Sequence, residues 1–361
     1  MKKTLIASAI AAATFSGAAL AQNTATMTAD DLAARMDSMP TVYGNIQLAI
    51  VHDNFDNGPS SLDFADNGST IGFKHDHEIA PGITGFFKAE LEFDADQKAG
   101  NGGLNGFDEA YIGVKGDRFG QVWAGSDDST YETAIDEIYN HYEYGSFIGG
   151  SYDTGEGDLV QYRSPSFGGL TVGAAVQING DSTTGGKSYP YQLAAIYQMG
   201  GLELAFAMDS NDGSLAYSQD GKNDDPLKKA SERSINNENT YGLRASYSLE
   251  NLRVTGEYQT RKDVSDVYGV MGVYTMGANN FSASYQVEDY DTSESLKSDV
   301  WALQALHNLS DYMYVWVEGY MYGGDSVYAY NGRDTTGNGF NDTFDYTDQR
   351  SIAAVGAVYY F

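Results

Sequence analysis

GFFKAELEFD, residues Gly85 to Asp94, carries the pattern that decides the fold. Phe87, Ala89, Leu91 and Phe93 fall on one side of an extended chain, and Lys88, Glu90, Glu92 and Asp94 on the other. A period of two is the signature of a strand with one apolar and one polar face. LELAFAM (Leu202 to Met208) and FSASYQV (Phe281 to Val287) repeat it. About sixteen such segments follow one another, each near the length of a membrane-crossing strand. They fall near 42–52, 69–77, 84–95, 107–115, 120–126, 158–164, 169–178, 190–199, 201–209, 240–248, 251–261, 266–276, 279–289, 298–308, 312–322 and 351–361. The joints alternate between short turns (GDRF, MGG, LEN, MGAN) and long polar loops at 53–68, 127–157, 209–239 and 323–350. Such strands build either a soluble sandwich, apolar side inward, or a membrane barrel, apolar side toward lipid. The even count, the one-sided long loops and the tyrosines at strand ends favour the barrel, whose closure leaves no backbone edge unpaired in lipid. The expected fold is therefore all-β: a transmembrane antiparallel barrel occupying residues 41–361.

The chain's start fits an exported protein. Lys2 and Lys3 precede an apolar, small-residue run to Leu20, and Ala19-Leu20-Ala21 forms an A-x-A site. This reads as a secretory signal peptide over residues 1–21, cleaved after Ala21. Residues 22–40 form an extension, in which TADDLAARMDSM (Thr28 to Met39) has the helical spacing of a short periplasmic helix. There are no cysteines, so no disulfide framework. The formal charge of −29 argues against nucleic-acid binding, which needs a basic surface. The acidity fits either a salt-adapted surface or an interior that handles cations.

Two features stand out at the joints and the end. The segment from Asp127 to Gly157 carries many acids, with no Lys or Arg, and its tyrosines argue for packing rather than disorder. SIAAVGAVYYF, Ser351 to Phe361, ends the chain on a strand that is small or apolar on both faces.

With the strands laid out, the chain resembles the general diffusion porins of Gram-negative outer membranes. The residues that carry this are VYGNIQLAI (42–50), STIGFKHD (69–76), AYIGVKGDRFGQVWAGSDD (110–128), VQYRSPSFGGL (160–170) and the terminal VYYF. The resemblance implies a homotrimer of sixteen-stranded barrels in the outer membrane, amid lipid and lipopolysaccharide. It implies a third external loop, here 127–157, folded inward to narrow a water-filled pore for small hydrophilic solutes and ions. Asp127, Asp128, Glu132, Asp136, Glu137 and Glu143 would then line the constriction. It also implies that the last strand, with Phe361 at its end, is the signal read by the outer-membrane assembly machinery. The family's basic wall is thinned here: Thr70, Ser126 and Gln161 stand at positions matching its arginines. Alternation leaves Lys74, Lys88 and Arg163 facing the lumen nearby, with Arg244 and Arg253 farther round. A less basic wall beside an acidic loop predicts a preference for cations.

Weaker signals remain. DTTGNGFNDTFD places Asp334, Thr336, Asn338, Gly339, Asp342 and Asp345 at positions of a calcium loop. No flanking helices accompany it, and such residues are ordinary turn material. No other cofactor is expected. His75 and His77 share a strand face but lack a third metal ligand. Three other readings stay open: a substrate-specific channel, a barrel hydrolase and a loop-borne adhesin or phage receptor. A hydrolase needs a nucleophile with an oriented base, and of the five histidines only His141 lies in the candidate inward loop.

Overall fold

The structure is a computed structural model that describes residues 39–97, 103–145, 148–178, 189–212, 238–291, 296–325, 328–333 and 343–361. The expected signal peptide, the expected helix except Met39, and Asp334, Thr336, Asn338, Gly339 and Asp342 lie outside these residues.

The elements in chain order are β1 (Thr41–Phe55), β2 (Ser60–Asp66), β3 (Ser69–Ala80), β4 (Ile83–Phe93), β5 (Leu104–Gly116), β6 (Gly120–Ser126), α1 (Thr130–Ile135), β7 (Leu159–Arg163), β8 (Leu170–Gln177), β9 (Tyr191–Met199), β10 (Leu202–Asp209), β11 (Thr240–Leu249), β12 (Leu252–Arg261), β13 (Ser265–Met276), β14 (Asn279–Tyr290), β15 (Lys297–Ser310), β16 (Met313–Gly324), β17 (Tyr328–Arg333), β18 (Thr343–Thr347) and β19 (Arg350–Tyr360). Neighbours pair antiparallel around a single sheet. β2 and β3 are two lengths of one wall strand, because Leu48 faces Asp66 and Asn45 faces Thr70 across β1. The last strand returns to the first, pairing Asn45 with Tyr360 and Ile50 with Val355. The result is a closed barrel of sixteen wall strands, in which no strand edge is left for lipid to face.

The pleat sorts side chains as the sequence pattern demands. Leu243 is 52% exposed, while its neighbour Arg244 is 7% exposed. Ile50, Phe206, Val270, Trp301 and Val317 share the exposed outer face, an apolar belt of the kind a membrane barrel turns outward. Polar residues such as Gln192, Thr255, Gln259 and Gln286 are buried on the opposite face. The short turns gather at one rim. Gly200 in the β9–β10 turn adopts a positive φ of 60°, which a residue with a Cβ adopts only with strain.

Three elements depart from the sequence pattern. Residues 53–68 read as a loop, yet β1 runs on to Phe55 and β2 pairs back on it from Ser60, with a turn of four residues between. The loop 323–350 contains the hairpin β17–β18, whose strands of six and five residues are too short to show a clear period. Segment 127–157 contains α1, the one helix among the described residues.

At the seam, Phe361 extends the pairing: its N–H donates to the Gly44 carbonyl at 3.0 Å and its carbonyl accepts from Gly44 N–H at 3.2 Å. Its ring lies over Gly44, where a Cβ would come within 2.7 Å of Phe361 Cζ. Glycine is therefore required there by a close approach rather than by φ.

Candidate functional site

Segment 127–157 begins at a helix cap. The Ser129 side chain accepts from Glu132 N–H and starts α1, a Ser-x-x-Glu signal visible in the sequence. The helix buries Tyr131, Ala134 and Ile135 against Ala194, Ala205 and Ala207 of β9 and β10. Farther along, Ile138 and Tyr142 pack with Val300, Ala302, Trp316, Tyr320 and Val358. The molecule's apolar core thus lies between this segment and the belt-opposed faces of distant strands.

Polar side chains of those strands then satisfy the segment's backbone. Tyr131 N–H donates to Gln192 Oε1 at 2.9 Å, Ile138 N–H to Glu257 Oε1 at 2.9 Å, and Glu143 N–H to Glu318 Oε1 at 2.8 Å. Gln286 both accepts from Ile148 N–H at 3.2 Å and donates to its carbonyl at 3.0 Å. Arg261 grips Asp153 through both terminal nitrogens, at 3.0 and 2.9 Å. An irregular segment carries many unpaired backbone groups, so this set of wall partners is what allows it to be buried at all.

The six acids of the sequence-derived set divide into two groups. Glu137 receives Arg253 Nε at 2.6 Å, Arg253 Nη2 at 2.8 Å, the Thr255 hydroxyl at 2.7 Å and Arg244 Nη1. Burial pushes its carboxyl up, but the Arg253 and Thr255 hydrogen bonds and both guanidinium charges outweigh that and hold it at about 2. Glu203 of β10 shares the two arginines, lying 2.7 Å from Arg244 and 3.4 Å from Arg253. Asp136 is 2% exposed, accepts from Gln259 Nε2 at 2.7 Å and the Tyr152 hydroxyl at 3.0 Å, and is pushed up to about 6 by burial. Glu143 accepts from the Tyr314 hydroxyl at 3.0 Å, and burial lifts it to about 7. These three are tied to the wall.

Two of the other three, Asp128 and Glu132, stand with Glu156, their carboxylate oxygens within 4.8 Å of one another. Burial, then the charges of Asp128 and Glu156, raise Glu132 to about 7, against a hydrogen bond from Asn140. Asp127 accepts from Trp123 Nε1 at 2.6 Å. On the wall beside them, Glu90, Asp108 and Glu109 form a second acidic group of the same 4.8 Å compass. Lys88 serves this group, paired with Glu109 and 3.9 Å from Glu90. Alternation had marked Glu90 as facing the same way as Lys88; the bulge in the β4–β5 ladder that brings in both Asp108 and Glu109 left no such mark.

The remaining basic candidates are scattered. Lys74 lies 4.8 Å from the Tyr43 ring centroid, and Arg163 sits exposed near the short-turn rim, without an ion pair among the described residues. Sequence reasoning missed Arg261, Gln192, Glu257, Gln259 and Glu318 as partners of the segment, since nothing in a strand's period says which loop will reach it. His141 Nε2 lies 2.7 Å from Ser282 Oγ, and among the described residues no third side chain hydrogen-bonds the ring. His75 and His77 lie on the outer face beside Phe73. Asp345, the described member of the calcium pattern, receives both terminal nitrogens of Arg333 at 3.2 and 2.9 Å.

A family model described as Gram-negative porin matches residues 7–326. A monosaccharide porin from a Halomonas species is 30% identical over 89% of this chain and 95% of its own length. A chitoporin of Vibrio furnissii is 27% identical over 48% of this chain and 50% of its own. Among solved structures, the anion-selective porin from Comamonas acidovorans superposes with a TM-score of 0.65 at 16% identity, covering 89% of this chain and 99% of that one. Salmonella typhi OmpF, in complex with daunomycin, gives 0.64 at 18% identity, covering 89% and 97%. At such identities these two show the shared fold alone.

Proposed function

Because the chain belongs to the Gram-negative porin family, whose members are outer-membrane channels rather than enzymes, we propose that its barrel is a water-filled, cation-preferring pore for small hydrophilic solutes and ions. Segment 127–157 folds into the lumen and narrows it. The observation that carries the preference is the pair of acidic groups, Asp128–Glu132–Glu156 on the segment and Glu90–Asp108–Glu109 on the wall, into which Lys88 alone is paired among the described residues. Rings of one sign in a confined pore attract counter-ions and repel co-ions at close range. The arginines that could offset them, Arg244, Arg253 and Arg261, are spent on Glu137, Glu203 and Asp153. Of the six acids expected at the constriction, Asp127, Asp128 and Glu132 line it, while Asp136, Glu137 and Glu143 fasten the segment. Lys74 and Arg163 face the lumen below.

The rest of the reading follows the family: a homotrimer in lipid and lipopolysaccharide, a signal peptide removed after Ala21, and assembly guided by the strand ending in Phe361. The relatives named monosaccharide porin and chitoporin support small sugars among the solutes. The test is the zero-current potential of a triple variant, Asp128→Asn, Glu132→Gln and Glu156→Gln, in a KCl gradient. It should fall toward zero, while Asp136→Asn leaves it in place; an unchanged potential in the triple variant would refute the assignment.

A further inference from the structure

The belt-opposed face of β3 to β7 changes its charge along the barrel axis. Lys74 pairs with Lys88 across the β3–β4 ladder, and Lys88 with Tyr111 of β5. Nearer the short turns, Gln121 of β6 pairs with both Lys115 and Arg163, which sets those two cations on one level. Toward the long loops, the next positions of the same face after Lys88 are Glu90 and Glu92, and the β5 bulge adds Asp108 and Glu109. Asp127 and Asp128 follow the long-loop end of β6, where Asp127 N–H donates to the Glu156 carbonyl at 3.0 Å. Successive residues of one face are about 7 Å apart along a strand, so the change falls within one such step.

Below that step the wall is close to neutral. Lys115 Nζ lies 2.6 Å from Asp76 Oδ2, and Asp117 and Arg118 offset each other in the β5–β6 turn. Lys74 and Arg163 have no carboxylate partner among the described residues and are set against Glu78. Lys88 stands at the boundary, paired upward with Glu109. Farther round the barrel, Arg244 and Arg253 are matched by Glu137 and Glu203, so they leave the contrast as it is. Above the step, carboxylates follow one another on wall and segment with Lys88 as their one paired cation among the described residues.

We propose that this charge step makes the pore rectify, passing more current when the long-loop side is positive than when it is negative. An acidic zone carries current by cations, because its fixed charge excludes anions at close range. A near-neutral zone carries it by both ions. Cations driven from the acidic zone toward the short turns reach the boundary faster than the lower zone removes them. Anions drawn up from below stop at the same place, so salt accumulates there and conductance rises. With the voltage reversed, both ions leave the boundary, salt is depleted and conductance falls. This inference rests on the lumen reading above and gives the proposed cation pore a direction.

The test is the current–voltage curve of the assembled protein in a planar bilayer with the same KCl solution on both sides. At about 0.05 M salt the current should be about two-fold larger with the long-loop side positive, and the ratio should fall to one at about 1 M, where the screening length is about 3 Å. Orientation is read from Ser166→Cys in the exposed β7–β8 turn of a chain without cysteines, using a thiol reagent too large to enter the pore, added to one chamber. Replacing Lys74 and Arg163 together by Gln extends net negative charge toward the short turns. That variant should bring the ratio toward one while its zero-current potential grows, a divergence that a loosened barrel does not produce. A symmetric wild-type curve at low salt, a larger current in the opposite sense, or an unaltered ratio in the double variant would overturn the proposal. The zero-current potential separates the two readings. Cation preference with a symmetric curve defeats the charge step alone, and rectification without cation preference defeats the selectivity alone.

Discussion

Glu132 is the residue whose chemistry is most exposed to a change of pH. Its carboxyl, raised to about 7 chiefly by burial, is largely protonated at pH 5 and ionised at pH 8. The Asp128–Glu132–Glu156 group therefore gains charge across that window. Cation preference, read as the zero-current potential at about 0.1 M salt where screening is modest, should rise from pH 5 to 8, and Glu132→Gln should flatten the rise. A profile unaffected by that substitution would remove Glu132 from the constriction. The sign for stability is opposite. A carboxyl whose folded value lies above its unfolded one favours the folded state below about 4.5 and loses that contribution as pH climbs to about 7. Glu137, held at about 2, behaves conversely: its contribution is present above about 4.5 and disappears as pH falls toward 2.

Segment 127–157 shows what a sequence discloses at the scale of an element. Its length, acidity and tyrosines marked it as packed and functional, and Ser129 with Glu132 carried the cap of α1. Which acids would be tied to the wall and which left clustered with Glu156 was not legible, because the deciding arginines lie far away in sequence: Arg244 and Arg253 are 107 and 116 positions from Glu137. The strands were legible because their period is imposed by lipid on one side and water on the other. β2 and the hairpin β17–β18 were not, being so short that Leu62 with Phe64, or Phe344 with Tyr346, is all the alternation they carry. Glu137→Ala would leave Arg244, whose side chain is 6% exposed, with Glu203 in place of two carboxylates. Removing one partner of a buried pair costs about 3 kcal/mol or more when the charge is left alone, and less here, where Glu203 still serves both arginines. The segment should then become protease-sensitive and the single-channel current noisier. A quiet, resistant variant would show that the two arginines do not hold it.

At the scale of the whole molecule, the barrel depends on one seam. The final residues pair with β1, and Phe361 covers the glycine that the first strand reserves for it. Gly44→Val would drive a branched side chain into that ring and should sharply reduce the yield of heat-modifiable, folded barrel on gel electrophoresis, as should deletion of Phe361. Normal yield in both would return the aromatic terminus to simple hydrophobicity. The same closure gives the barrel its fixed circumference, within which the proposed cation preference rests on the two acidic groups. The zero-current potential of the wild-type protein in a tenfold KCl gradient tests that account most directly. A cation-preferring pore makes the dilute side positive, toward the limit of about 59 mV per tenfold ratio for a single charge. A dilute side at zero or negative would contradict it.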